Sequence, residues 1–331
     1  DQRTGQILWT NAPPAVEAGA TLDLKLQLVN RAGVPWPAGG TQPVALRARW
    51  LTRFGEPFDQ PERSVPLPAN LYPGEPRTLA FSMTAPDVVG DFALALDFVQ
   101  NGKSFNDART ALTVVGPRST DIDYHAVYRT ANLEQNHWWV VGAYHSKEQY
   151  ERSSQERRDM LVRCGLTPDF RVLDIGCGTG QMAGALENYL SPKGAYAGTD
   201  IGAEAIEFCE RTFTKPNFAF RRGGMTDVPF HANGTFDMAI FFSVFTHTFP
   251  DETALLMAEA KRLLKPTGTI IADVITSPLV ERGAGHRGEM VLNKDYFLKL
   301  ARMLGYEGEV IGRWPWNRHA ERFMFQLRQS R

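Results

Sequence analysis

The stretch Arg171-Val-Leu-Asp-Ile-Gly-Cys-Gly-Thr-Gly180 leaves this chain few ways to fold. Its apolar residues, Val172, Leu173 and Ile175, read as a buried strand ending in a turn with glycines at 176, 178 and 180. Beyond the turn, Gln181-Met-Ala-Gly-Ala-Leu-Glu-Asn-Tyr-Leu190 has helical spacing, with Met182, Leu186, Tyr189 and Leu190 on one face. Strand, glycine turn and helix open a doubly wound sheet, in which ligands sit at the carboxyl ends of the strands. Glycine serves there because the backbone bends sharply and no Cβ may stand between it and a ligand.

The spacing Gly176-x-Gly178-x-Gly180 is not the G-x-G-x-x-G of dinucleotide sites. Asp174, at the end of the strand, would repel a pyrophosphate and attract a cation. S-adenosylmethionine carries an ammonium and a sulfonium and no phosphate, so it meets that condition. About twenty residues further on, Ala195-Tyr-Ala-Gly-Thr-Asp200-Ile201 reads as a second strand ending in an acid that can accept both ribose hydroxyls.

From about residue 121 onward the chain resembles the class I S-adenosylmethionine-dependent methyltransferases. Asp174, Gly176, Gly178 and Gly180 fall on the first motif of that family, with Cys177 inside the same turn, and Asp200-Ile201 on its ribose-binding acid. Met225-Thr-Asp-Val-Pro-Phe230 and Phe236-Asp-Met-Ala-Ile-Phe-Phe242 resemble its adenine loop and fourth strand. The resemblance implies cofactor contacts at Met225, Thr226 and Ser243. Lys261-Arg-Leu-Leu-Lys-Pro-Thr-Gly268 resembles the helix end and turn before strand five. The family often has an acid where Gly224 stands, so backbone contacts at Met225 are what remains for the adenine.

A length of 331 residues suggests two domains, and 43% hydrophobic residues allow sizeable cores. Net charge of −1, with both signs interspersed, gives no sign of a nucleic-acid or anionic-membrane partner. Cys164, Cys177 and Cys209 have neither metal-ligand spacing nor a disulfide pattern, as in a reducing cytoplasm, and Cys177 reads as packing rather than as a nucleophile. No apolar run approaches the ~18 residues of a membrane span. The chain opens on Asp1 rather than methionine, as expected of a piece cut from a longer protein.

Residues 1–117 read as short strands punctuated by prolines. Thr21-Leu-Asp-Leu-Lys-Leu-Gln-Leu28 alternates strictly, and 44–51, 78–83 and 92–99 do likewise, while Asn101-Gly102 is a hairpin signal. An antiparallel β-sandwich is expected. Leu67–Glu75 and Ala85–Phe98 resemble immunoglobulin-like modules of bacterial surface-polysaccharide proteins, which implies a glycan-holding role, with a spacer or dimerisation surface as the alternative. Trp36 and Phe105 are the candidate stacking aromatics, though Trp36 reads first as a loop residue folded over the end of the sandwich. Trp50 and Phe98, on alternating strands, read as core.

Gly116-Pro117 opens a linker, and 118–165 reads as linker plus helical segment, with His137-Trp-Trp-Val-Val-Gly-Ala-Tyr-His145 as a lid over the pocket or a plug at the sheet edge. Ser153-Ser154 are placed near the carboxylate of the cofactor. The methyltransferase domain spans 166–331 as a seven-stranded, Rossmann-like α/β fold closed by an antiparallel pair at 308–313 and 322–328. Its fourth strand ends in Ser243-Val-Phe-Thr-His247, similar to a variant found in methyltransferases of polysaccharide gene clusters. An oxygen nucleophile needs a base, and histidine titrates near ~6.5, so His247 is the catalytic candidate, with helix capping as its alternative role. Asp273, His286 and Arg287 stand second, with Gly283–Gly288 as a mobile acceptor loop. Asp251 and Asp273 lack a ligand spacing, so no metal is expected.

These readings combine into an O-methyltransferase for a sugar hydroxyl of a bacterial surface glycan, using S-adenosylmethionine. Polysaccharide assembly or export proteins and a second copy of the chain are the macromolecular partners it leaves open. Methylation of a small metabolite and a glycan-binding protein with an inactive methyltransferase fold are the alternatives; intact Asp174 and Asp200 speak against the last.

Overall fold

The structure, a computed structural model, describes residues 4–116, 123–142 and 144–330, so the expected linker start at Pro117 lies outside the described residues. These residues divide into two compact units.

The first contains β1 (Gly5–Thr10), β2 (Ala15–Glu17), β3 (Thr21–Asn30), β4 (Ala45–Thr52), β5 (Arg63–Pro66), β6 (Pro76–Thr84), β7 (Gly90–Gln100) and β8 (Lys103–Val115). They form one sheet in the order β1-β3-β6 and a second in the order β2-β8-β7-β4-β5. Period-2 alternation sends Leu22, Leu24, Leu26 and Leu28 of β3 into the same core as Leu46 and Trp50 of β4 and Phe92, Leu94 and Leu96 of β7. Each such side chain contributes about 1.5–3 kcal/mol on burial. Asn101 (φ 53°) and Gly102 (φ 72°) make the two-residue hairpin between β7 and β8. One pairing departs from the antiparallel expectation: β2 runs parallel to β8. Pro13 and Pro14 follow β1, and the chain re-enters in the other sheet.

Trp36 is not a surface platform. It is 3% exposed, its ring packs 4.7 Å from Phe98 and 5.3 Å from Phe105, and its backbone bridges Leu71. The Val34-Pro-Trp-Pro37 loop is folded inward because a bulky indole gains more in a nearby aromatic pocket than in water. Phe105 is half-buried against the same core. The exposed aromatics of this unit are Trp9, Phe54 and Tyr72.

Pro278–Gly285 also belongs to this unit, against the expectation that 166–331 is one continuous domain. Leu279 is buried in its core, the Asp91 N–H donates to the Leu279 carbonyl (2.8 Å), and Arg53 Nε donates to the Pro278 carbonyl (2.7 Å).

The second unit begins with α1 (Tyr124–Thr130), α2 (Leu133–Asn136) and α3 (Lys147–Arg163). It continues through β9 (Arg171–Ile175), α4 (Gln181–Glu187), β10 (Ala195–Asp200), α5 (Ala203–Thr212), β11 (Phe218–Arg222), β12 (Phe236–Phe241), α6 (Pro250–Leu263) and β13 (Leu264–Thr276). After β14 (Gly283–His286) come β15 (Glu289–Leu292), α7 (Lys294–Met303), β16 (Tyr306–Asn317) and β17 (Ala320–Gln329). The central strands run β11-β10-β9-β12-β13 in parallel, and antiparallel β17 and then β16 continue from β13. Val172 joins one apolar cluster while Leu173 and Ile175 join the other, so both faces of β9 are covered.

The sheet of this unit exceeds the expected seven strands, because β15 pairs with β13 at Ile275 and Thr276. The glycine-rich 283–288 stretch is thus strand and tight turn rather than open loop: only Arg287 and Gly288 separate β14 from β15. No helix of the described residues is long and apolar enough to cross a membrane.

Candidate active site

The parallel sheet reverses direction of growth at β9, which is flanked by β10 on one side and β12 on the other. That is the switch point where an α/β sheet leaves a crevice at the strand ends. A cavity of about 750 Å³ lies there, within the range that accommodates small ligands.

The glycine turn after β9 is built on one carbonyl: Gly176 N (2.8 Å) and Cys177 N (3.0 Å) both donate to Thr199 O. Gly176, Gly178 and Gly180 all have positive φ. A Cβ on Gly176 would stand 2.5 Å from Val244, and one on Gly180 2.3 Å from the Phe213 ring. Gly180→Ala is expected to lower stability by about 2 kcal/mol or more through strain and overpacking; urea unfolding reads this, and an unchanged midpoint would count against the packing drawn here.

Asp174 ends β9 almost fully buried, at 2% exposure, and accepts a hydrogen bond from the Tyr196 hydroxyl. Burial pushes its carboxyl up to about 7, against the opposing pull of Tyr196 and of the Arg157 guanidinium. Asp200 ends β10, with Oδ2 accepting from Gly178 N (2.9 Å) and Oδ1 from Gly202 N (2.8 Å). A carboxylate oxygen can accept more than one hydrogen bond. Both acids line the cavity, as do Gly176, Cys177, Gly178, Ile201, Met225, Ser243 and His247. Gly180 and Thr226 are not among its lining residues: Gly180 caps α4 against Phe213, and Asp227 rather than Thr226 reaches the cavity. The Cys177 thiol is pushed well up by its hydrogen bond with Cys209 and by burial, so it stays protonated.

Asp227 also bears on the expected gap at Gly224. A Cβ on Gly224 would lie 2.1 Å from Asp227 Oδ1, so the Asp227 carboxylate occupies the space a side chain at 224 would take.

The lid comes from α1 and the turn after α2. Tyr124, Val127, Tyr128, Trp139, Val140, Val141 and Gly142 line the cavity, and Trp138 is not among the lining residues. Tyr124 and Tyr128 titrate above the ordinary range, first through burial and then through the negative charge of Asp200. Ser153 and Ser154 bond instead to Tyr144 and to the Tyr150 carbonyl. Arg157, one turn along α3, lines the cavity, lies 4.9 Å over the Phe242 ring and donates to Gln181 Oε1 (2.8 Å). Sequence reasoning missed Arg157; the signal was a cation one helical turn after the serines.

At the end of β12, Ser243 stands at φ 60°, a left-handed conformation that non-glycine residues rarely adopt. Its N–H donates to Asp273 Oδ1 (2.7 Å), and Arg322 donates to both Asp273 and Ser243 Oγ. Asp273 is therefore a fully buried anchor, not a cavity residue. His247 Nδ1 lies 2.8 Å from the Arg287 carbonyl oxygen. A carbonyl only accepts, so Nδ1 carries the hydrogen and the neutral ring keeps its lone pair on Nε2. Burial holds the His247 pKa below its ordinary value, with the Arg287 carbonyl pulling the other way. Arg287 is fixed by a bidentate pair with Glu252 (3.0 and 2.8 Å). His286 accepts from Gly288 N and does not line the cavity. Among the described residues, no group of three or more His, Cys, Asp or Glu could hold a metal ion.

These groups fit S-adenosylmethionine at its charged ends and its ribose. Asp174 suits the ammonium, Arg157 the carboxylate and Asp200 the diol. Thr199 Oγ1, buried beside the cavity, has no hydrogen-bond partner among the described residues and is available to a ligand.

Comparison with known proteins agrees. A family model described as a methyltransferase domain matches residues 172–268. A fatty-acid O-methyltransferase of Mycolicibacterium smegmatis is 33% identical over 98 residues, which is 30% of this chain and 34% of that protein. A demethylmenaquinone methyltransferase of Lactiplantibacillus plantarum is 30% identical over 127 residues, covering 37% of this chain and 52% of that protein. The chain thus spans about a third to a half of the length of these relatives. Among solved structures, a SAM-dependent methyltransferase from Methanosarcina mazei aligns over 52% of this chain and 98% of its own, with TM-score 0.43 and 18% identity. The family match falls on the glycine turn, the two acids and the parallel strands that carry them, so residues 172–268 of the C-terminal unit are a methyltransferase domain whose cavity has groups that fit S-adenosylmethionine.

Proposed function

We propose that this protein is an O-methyltransferase in which His247 takes the proton from an acceptor hydroxyl, and that the acceptor is a sugar of a bacterial surface glycan. The observation that carries the catalytic part is His247, whose Nδ1 is tied to a main-chain carbonyl in the cavity that also holds Asp174 and Asp200. S-adenosylmethionine supplies an electrophilic methyl group and departs as a neutral thioether. Nε2 receives the hydroxyl proton as the oxygen attacks, and the Arg287 carbonyl supports the resulting imidazolium. Lid and sheet hold the reactants in line, which supplies much of the acceleration.

The sugar assignment is supported by the likeness of the N-terminal strands to polysaccharide-protein modules, which we read as an immunoglobulin-like sandwich acting beside a cytoplasmic enzyme. A second reading, methylation of a small apolar metabolite, is favoured by the names of the two relatives and by the aliphatic lining residues Val127, Val140, Val141 and Leu256. Calorimetric titration with S-adenosylhomocysteine tests the cofactor half. Binding should weaken about tenfold or more in Asp200→Ala, which loses charged acceptors for two ribose hydroxyls, with a lower melting point because Gly178 N and Gly202 N lose their acceptor as well. Absence of binding by the unaltered chain would sink the enzyme reading. Methyl transfer to hexose oligosaccharides then separates the two acceptor readings.

A further inference from the structure

β16 is exposed along most of its length and carries Trp314 and Trp316 two residues apart, with 39% and 42% of their surfaces in water. Two large aromatics left in water on one strand mark a surface with something to bind. Arg322, opposite Trp314 in the β16–β17 register, holds its guanidinium 5.9 Å from the Trp314 ring and 5.7 Å from that of Trp316. Its bonds to Asp273 and Ser243 use Nε and Nη2 and leave the two N–H donors of Nη1 unengaged by either. Trp316, Arg322, Ser243 and His247 line one cavity, so the aromatic strand leads from the surface to the base.

We propose that Trp316 and Arg322, extended outward by Trp314, form the acceptor subsite, and that its occupant is a hexopyranose ring. The assignment rests on the O-methyltransferase reading above and deepens it. A pyranose has one face of C–H groups and an edge of hydroxyls. The subsite offers an indole face beside a guanidinium whose plane is fixed by a buried carboxylate, so ring face and hydroxyl edge are matched together. An acyl chain would use the indole and strand the guanidinium donors, which is unfavourable once water is excluded. Trp314 is exposed two residues away on β16 and does not line the cavity, so it offers a polymer a second ring outside the cavity while one hydroxyl reaches His247. The sugar-stacking role that stood as the alternative for Trp36 thus moves to the catalytic unit.

The test is methyl transfer by the full chain from labelled S-adenosylmethionine to glucose, galactose and mannose oligosaccharides, with dodecanoate and a hydroquinone in parallel. For the accepted oligosaccharide, Trp316→Ala should raise KM about tenfold, leave kcat within about twofold, and leave S-adenosylhomocysteine affinity and melting temperature unchanged. Trp316→Tyr should recover most of the lost affinity. An unchanged KM in Trp316→Ala overturns the subsite alone. A joint fall of cofactor affinity and melting temperature also overturns it, because Trp316 would then be supporting Arg322. Transfer by the unaltered chain to dodecanoate or hydroquinone and to no sugar overturns both the subsite and the sugar reading.

Discussion

Replacing His247 by alanine is expected to lower kcat for methyl transfer to a hydroxyl by about 10²- to 10⁴-fold while S-adenosylhomocysteine still binds as before. The size follows from removing the proton acceptor from a step whose nucleophile is weak when protonated. The sign of the pH dependence follows from the environment of the ring. Burial holds its pKa below 6.5, so the ring is neutral and basic at neutral pH. The rate should rise with pH on the acid side as the imidazolium loses its proton, then level off near neutrality. His247→Gln should abolish this limb as well as the rate, which initial-rate profiles with saturating donor would show. A variant retaining full transfer would remove the base; one retaining the acid limb would assign the limb to another group.

Asp174→Asn should weaken binding of the cationic cofactor by about ten- to a hundredfold at pH 8, the worth of a charged hydrogen bond, while stabilising the ligand-free protein. Both effects have one cause. The folded carboxyl titrates at about 7 against an ordinary 3.8, so the folded state holds this proton more tightly than the unfolded chain. Stability from this group is accordingly full below pH 3.8, falls as pH rises through the interval, and above 7 is lower by up to roughly 4 kcal/mol. The asparagine variant does not ionise and escapes that loss, so its urea midpoint should exceed that of the unaltered protein at pH 8. Cofactor affinity of the unaltered protein should rise with pH up to about 7, because a protonated Asp174 cannot attract a cation; the variant should lack that rise. Equal pH dependence in the two would show that Asp174 does not face the ammonium. A carboxylate that destabilises the empty protein and serves the loaded one illustrates how sites hold strained chemistry.

The elements that were legible are those whose causes are local. The apolar run Val172 to Ile175 followed by alternate glycines points to one backbone course, because left-handed backbone at 176, 178 and 180 favours glycine over residues with a Cβ. Strict alternation in 21–28 fixes which face of β3 is buried before any partner is known, and Asn101-Gly102 dictates a hairpin by its own dihedral preferences. His247 could be placed at the cavity because the fourth strand ends at the crevice of the sheet, a rule of sheet topology. For Trp36 the inward-folded loop reading held over the stacking one, but proline-rich loop composition speaks of turns and could not name the aromatic pocket that Phe98 and Phe105 open beside it. The 283–288 stretch was misjudged because its glycines suit a tight strand-to-strand turn as well as a loop, and only pairing of β15 with β13 selects between them.

Arg157, Asp227, Trp316 and Arg322 belong to a different category. They come from α3, the loop after β11, β16 and β17, and they meet only because the sheet brings distant segments to one rim. Apart from the helical spacing of Arg157 from the serines, none carries a local signature, since a cation on a helix or an indole on an edge strand is ordinary at any solvent-facing position. The sequence alone determined that a donor-binding turn and its two acids exist, because backbone conformation and charge at a strand end are set by neighbouring residues. Folding in three dimensions determined which groups complete that site: the Asp227 carboxylate filling the space beside Gly224, the anchoring of Arg322 by Asp273, and the lone pair left on His247 by the Arg287 carbonyl. The last two join residues 49 and 40 positions apart, and short-range propensity holds no information about such distances.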